Sequence, residues 1–194
     1  MKKRTVLVVL GIIGITSFSL VLLLGFWLGP HAVRQIISGS LEVSQPADTQ
    51  RTREISGRHF SMQYPGNWKL DTADPHYDLN KYFDIDAPGP GQVVVNIVGP
   101  HVTPQQGVDV VLMGMKKLLV ERKQTFFESW GSHKGYGVQL EGFFTFGGEG
   151  FIRAFGLGNS QTTVVITEHR FNETEANNSN GFDLIAQTFE LKEL

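Results

Sequence analysis

The densest group of residues able to do chemistry is a run of carboxylates with one imidazole, Asp71, Asp74, His76 and Asp78, followed by Asp84 and Asp86. Oxygen ligands in a flexible loop suit a hard cation such as Ca²⁺, and Asp84 and Asp86, two residues apart, would share one face of a strand. The spacing matches no calcium loop, which also needs a glycine at its sharp turn and a closing Glu. A solvated loop without a metal is therefore expected. Ser132-His133 sets a hydroxyl beside an imidazole. Adjacent residues on a turn diverge, however, and a nucleophile needs its base within hydrogen-bond reach. Gly147, Gly148 and Gly150 lie between apolar segments and read as turn residues rather than as a phosphate cradle. The chain holds no Gly-x-Ser-x-Gly elbow, P-loop, His-Glu-x-x-His or Gly-x-Gly-x-x-Gly opening a helix. With Cys 0 there is no disulfide framework, thiolate zinc site or Cys nucleophile. No catalytic residue and no cofactor are expected, so the chain reads as a non-enzyme.

Aromatic residues flank the acidic run: Tyr64, Trp68, Tyr77 and Tyr82. Such side chains are enriched in recognition surfaces as well as in cores. Trp68 is expected inside, whereas Tyr64, Tyr77 and Tyr82 are the candidate binding residues for a protein partner or a small ligand.

These residues must be held by surrounding elements. Phe60-Ser-Met-Gln-Tyr alternates with period two and predicts a strand, and Pro65-Gly66-Asn67 a turn. Trp68 to Leu70 predicts a short strand, and Asp71 to Asn80 a polar loop. Tyr82 to Asp86 and Val93 to Val98 predict two more strands, stopped by Pro88-Gly89-Pro90-Gly91. The apolar run of Val93 to Val98 implies a central strand covered on both faces. Thr103-Pro104 starts a helix expected to run to Lys123. Val108, Val111, Leu112, Met115, Leu118 and Leu119 follow a 3.6-residue stripe, while Lys116, Lys117, Arg122 and Lys123 fall on a solvated face. Four alternating segments follow, 124–130, 137–146, 150–156 and 162–170, joined by glycine turns as in an antiparallel meander. Residues 172–181 read as polar, with a closing helix marked by Phe182, Ile185, Ala186 and Phe189. The order predicts an α+β fold in which helices cover a mainly antiparallel sheet around one core.

The amino end differs from all of this. Lys2, Lys3 and Arg4 precede an uncharged, apolar stretch from Thr5 to Leu28. As a helix it would reach roughly 36 Å, enough to cross a hydrocarbon core of about 30 Å. A cleaved signal peptide has a shorter apolar region, and Pro30 stands badly for a cut just beyond the stretch. The expected organisation is a cytoplasmic basic tail (1–4), a transmembrane anchor (5–28), a juxtamembrane segment and tether (29–52) and a globular domain (53–194). The basic tail stays cytoplasmic, which puts the domain in the periplasm or outside the cell. Without those three cations, the 17 basic residues of the chain fall further below the 19 acidic ones. Nucleic acid is therefore not an expected partner, because phosphate binding needs a clustered positive face.

Phe60-Ser-Met-Gln-Tyr64-Pro65-Gly66-Asn67-Trp68, the amphipathic helix from Thr103, the meander ending in Thr163-Val-Val-Ile-Thr-Glu and the closing Ile185-Ala-Gln-Thr-Phe189 together resemble the PsbP-like superfamily. The resemblance covers Arg53 to Leu194. It implies a sandwich of helices about an antiparallel sheet in an accessory or ligand-binding subunit without catalysis of its own, here in a membrane-anchored exported form. It transfers no site residues, and the absence of a thylakoid targeting region separates the chain from the photosynthetic members. The competing expectation is an extracytoplasmic hydrolase or metal-dependent enzyme whose residues converge only in three dimensions.

Overall fold

In chain order the elements are β1 (Thr52–Ser56), β2 (Phe60–Pro65), β3 (Lys69–Leu70), β4 (Tyr82–Asp86), β5 (Gln92–Val98), α1 (Pro104–Met115), β6 (Leu119–Trp130), β7 (His133–Phe144), β8 (Glu149–Gly158), β9 (Thr163–Phe171), α2 (Asn172–Thr188) and β10 (Glu190–Leu191). The structure, a computed structural model, describes residues 45–145 and 148–192, without the side chain of Glu121. The expected tail, anchor and most of the juxtamembrane segment lie outside the described residues. Among those described, no helix is long and apolar enough to cross a membrane.

Every strand pair is antiparallel. A seven-stranded sheet runs in the order β3-β4-β5-β9-β8-β7-β6, and a three-stranded sheet in the order β1-β2-β10. Period-two alternation sends side chains to opposite faces. Phe83, Ile85, Val93, Val95, Phe155, Val164 and Ile166 accordingly meet Phe60, Met62 and Trp68 of the β1–β3 region and Phe182 and Ile185 of α2 in one cluster. Val138, Leu140, Ile152, Ala154 and Val165 meet Val108 and Leu112 of α1 in a second. The fold is the α+β class expected, but with one apolar cluster on each face of the sheet rather than a single core. Strand β9 is the more fully covered of the two central strands, being buried from Thr163 to Glu168, while β5 is buried only from Gln92 to Val95.

Helix α1 starts as its sequence dictates. The Thr103 hydroxyl accepts from Gln106 N, and the Gln106 side chain accepts from Thr103 N, a reciprocal box that satisfies two orphan donors. It ends at Met115, not at Lys123. Leu119 instead opens β6, which pairs with β7 from Leu119↔Phe144 to Trp130↔His133. Long-range pairing with an aromatic, β-branched partner overrides a helical stripe that Leu118 and Leu119 continue only by coincidence. Arg122 and Lys123 therefore lie on a strand and do not join Lys116 and Lys117 on one helix face.

Helix α2 begins at Asn172, a full ten residues before the first aromatic of its stripe. Its buried residues are Thr174, Asn178, Gly181, Phe182, Ile185 and Ala186, a helical period whose first turns are polar and so read as loop. Asn178 Nδ2 donates to Pro88 O at 3.2 Å, and Glu173 and Glu175 complement the positive end of the helix.

The turn after β2 is a clasp. Asn67 Oδ1 accepts from Asp48 N, Asn67 Nδ2 donates to Pro46 O, and Gly66 N donates to Asp48 O. Ala47 N donates to Asn177 O on α2. The end of the segment expected to be a tether is thus bonded to the domain. A Cβ on Gly66 would stand 2.2 Å from Arg51 O, so the turn admits no side chain there. Trp68 lies fully buried with its ring edge-on to Phe182, 5.0 Å between centroids.

Leu112 is 4% exposed, beneath α1. Leu112→Asp is expected to unfold the domain. A buried unpaired charge costs several kcal/mol, comparable with a total stability of roughly 5–15 kcal/mol. Circular dichroism melting checks this, and an unchanged midpoint would remove Leu112 from the interior.

Candidate functional site

Strand β4 carries two opposed faces in five residues. Phe83 and Ile85 enter the apolar cluster, and Tyr82, Asp84 and Asp86 turn to the other side of the sheet. Helix α1 packs on β7, β8 and β9, so β4 lies two strands beyond its track. In the β4–β5 register Asp86 stands opposite Gln92 and Asp84 opposite Val94. Gln92 Nε2 donates to Asp84 Oδ2 at 2.5 Å and more weakly to Asp86 Oδ1 at 3.4 Å.

The loop between β3 and β4 is bound to this edge. Asp71 N donates to Asp84 O at 3.1 Å, and Asp78 N to Tyr82 O at 2.8 Å. Three of its carboxylates shape its turns: Asp71 accepts from Ala73 N, Asp74 from His76 N and Asp78 from Asn80 N. Asp78 also pairs with Lys81 at 3.6 Å. His76 is exposed. The structure therefore divides the acidic run: Asp78 pairs with Lys81, His76 is exposed, and Asp71, Asp74 and Asp86 lie within electrostatic reach of Asp84 and Tyr82.

Asp84 is the unusual member. It is only 5% exposed, and its Oδ1 has no hydrogen-bond partner. Burial, reinforced by Asp86, Asp71 and Asp74 and partly offset by the Gln92 hydrogen bond, pushes its carboxyl from the ordinary 3.8 up to about 7. An orphaned buried acceptor costs about 1–3 kcal/mol. The Tyr82 hydroxyl is held well above its usual range, first by burial and then by Asp84, Asp74, Asp71 and Asp86. Among the described residues no group of three or more His, Cys, Asp or Glu is placed to hold a metal ion.

Of the three candidate binding tyrosines, Tyr82 stands half-buried in this acidic edge and Tyr77 half-buried against the apolar cluster below it. Tyr64 is 5% exposed inside that cluster, and its side chain is core. Ser132 and His133 sit at the β6–β7 turn, where Gly131 takes φ +57°. His133 Nε2–H donates to Phe189 O at 2.8 Å, so the imidazole ties the turn to the end of α2.

Sequence reading missed Gln92, which opens an apolar strand and so looked like its border. The available signal was a polar residue facing alternate aspartates across a Pro-Gly turn. It also missed the buried ionic group on the α2 side. Glu168 accepts from Trp130 Nε1–H at 2.6 Å and from Arg170 at 3.2 Å, and Arg170 holds Glu175 through two nitrogens.

No protein-family model matches the chain, and no curated protein matches it. Among solved structures, the solution structure of cyanobacterial PsbP (CyanoP) from Synechocystis sp. PCC 6803 aligns with a TM-score of 0.47 at 11% identity, covering 79% of this chain and 96% of that one. LpqN of Mycobacterium tuberculosis, described as involved in cell envelope biogenesis, aligns with a TM-score of 0.44 at 10% identity, covering 74% and 91%. A Bacteroides thetaiotaomicron VPI-5482 protein aligns with a TM-score of 0.37 at 12% identity, covering 77% and 49%. With TM-scores below 0.5, these likenesses carry no weight in the functional reading.

The raised Asp84 carboxyl fixes a sign. The folded state binds this proton more tightly than the unfolded chain, so between about 4 and 7 the native protein loses stability as pH rises. Asp84→Asn is expected to remove that component, and its melting temperature should gain on the wild type from pH 4 to about pH 7 and then level off. A constant difference across that range would contradict a raised Asp84.

Proposed function

We propose that this chain is a membrane-anchored, extracytoplasmic accessory module that captures a protein partner or small ligand at the β3–β4 edge and performs no chemistry itself. The observation that carries the reading is Asp84, buried with an oxygen left over beside the half-buried Tyr82, while Tyr77 packs on the cluster beneath the same strand. Buried polar groups are mostly paired within the protein, and Asp84 Oδ1 is one of six buried side-chain atoms without a partner among the described residues and the one that belongs to a carboxylate. The described residues at this edge supply acceptors and aromatic surface rather than a nucleophile held against a base.

The anchor belongs to the reading through the basic residues at positions 2–4 and the uncharged stretch from Thr5 to Leu28, whose length suits one crossing. Membership of the PsbP-like superfamily is part of the same proposal. It is supported by the Tyr64-Pro-Gly-Asn-Trp68 clasp and by an element order with one helix on each face of an antiparallel sheet.

Capture of a partner by the detergent-solubilised full chain from its native membrane tests the reading. Tyr82→Ala and Tyr77→Ala are expected to weaken capture roughly thirtyfold, the loss of a typical aromatic hot spot at about 2 kcal/mol, while melting stays cooperative. Undiminished capture by both variants would send the recognition surface elsewhere.

A further inference from the structure

We propose that strand β6 is the surface through which two copies of this chain pair, antiparallel and edge to edge about Thr125, so that their large sheets join into one. The inference is independent of the β3–β4 edge.

The last strand of a sheet leaves alternate N–H and C=O groups unpaired, and proteins keep such edges short or covered unless another strand is to be added. The two ends of the large sheet differ in this respect. One closes with β3, which is only two residues long. The other closes with β6, twelve residues long, whose strand neighbour among the described residues is β7 alone. Exposed apolar side chains gather at the same end: Val120 and Phe126 on β6, and Phe143 opposite Val120 on β7. Phe126 is 66% exposed on the face that carries α1, beside Tyr136 with 6.1 Å between ring centroids.

The register with β7 shows which part of β6 can take a further strand. Irregularities fall between Val120 and Lys123 and again between Phe127 and Ser129, leaving residues 123–127 as the regular stretch. Its midpoint is Thr125. A two-fold axis there sets Thr125 against Thr125 of the other copy, Gln124 against Phe126 and Lys123 against Phe127. One step further out, Arg122 of each copy meets Glu128 of the other, and both residues are exposed in the single chain. Charges on an edge ordinarily repel a second copy. Here their order about Thr125 makes the edge self-complementary, with two symmetry-related ion pairs across the strands. Lys123 keeps Glu141 of its own β7 as its cross-strand neighbour. The two Phe126 rings fall on one face, a diagonal step of roughly 7–8 Å apart, which aromatic side chains span. A lipid surface would suit Arg122, Lys123 and Phe126, but it would meet neither Glu128 nor the open backbone groups of the strand.

The chain has no cysteine, so one introduced thiol reports on one position. Thr125→Cys in the full chain, reconstituted in lipid vesicles, is oxidised with copper phenanthroline. Directly opposed residues of an antiparallel pair stand about 4.5–5.5 Å apart at Cα, within disulfide range. A disulfide-linked dimer is expected, at least about fivefold more abundant than from Ser160→Cys at the exposed β8–β9 turn. Adding Arg122→Glu to Thr125→Cys should lower the dimer at least about fivefold, and adding Glu128→Arg as well should restore it, because opposite charges then meet again. Cross-linking at Thr125 no greater than at Ser160 overturns the proposal. So does a yield that Arg122→Glu leaves unchanged, or one that the double reversal fails to restore. A Thr125→Cys thiol shielded from maleimide without forming the dimer means that the lipid surface or a segment of the same chain covers β6, and that outcome also overturns pairing with a second copy.

Discussion

A carboxylate taken out of water must be met by donors or cations, or it gives up its charge. Among the described residues this sheet buries two, and it treats them oppositely. Glu168, on the central strand β9, is 2% exposed and fully met. Trp130 Nε1–H reaches it from the end of β6, Arg170 from its own strand, and Arg153 from β8 at 3.7 Å. Arg170 then grips Glu175, and its guanidinium lies over the Phe182 ring at 4.5 Å. One compensated charge therefore fixes the far end of the long β6–β7 hairpin and the docking of α2 together. Asp84, on the same sheet, receives one amide hydrogen bond and three neighbouring carboxylates that oppose its ionisation. A fold able to satisfy Glu168 so completely leaves Asp84 incomplete, and the proposed recognition edge rests on that contrast.

The layers explain why the incomplete group is at the edge. Each face of the large sheet has its own apolar cluster, one under α1 and one against α2 and the small sheet. Helix α1 tracks over β7 to β9, so its cover is spent before β4 is reached. Phe83 and Ile85 secure β4 from beneath, and the turns built by Asp71, Asp74 and Asp78 hold the loop against it. Asp84 is thus set on a strand whose other face is buried in the apolar cluster, which suits the fixed acceptor that the proposed recognition needs.

Much of this architecture was legible because alternation and turn chemistry agree with the tertiary result. Phe60 to Tyr64, Tyr82 to Asp86 and the strands after Trp130 were legible as strands because each carries an alternating apolar set, even where Asp84 and Glu168 are buried among it. Sequence failed where burial is polar or where pairing competes with periodicity. Thr174 and Asn178 line the buried face of α2, so ten helical residues looked like loop. Leu118 and Leu119 continue a helical stripe, yet β7 claims Leu119 for a strand. At the site, the acidic run was visible but its division was not. No spacing rule distinguishes Asp78, which turns the chain, from Asp84, which is buried, and Tyr64 resembles Tyr82 in type although one is core and the other stands among carboxylates.

The central claim is that Asp84 is a buried carboxyl lacking its counter-charge. Its side-chain ¹³C chemical shift, followed through a pH titration of the aspartate-labelled full chain, reads this directly. A midpoint near 7 for one aspartate, absent in Asp84→Asn, is the predicted result. Titration of every aspartate in the ordinary range near 3.8 would contradict it.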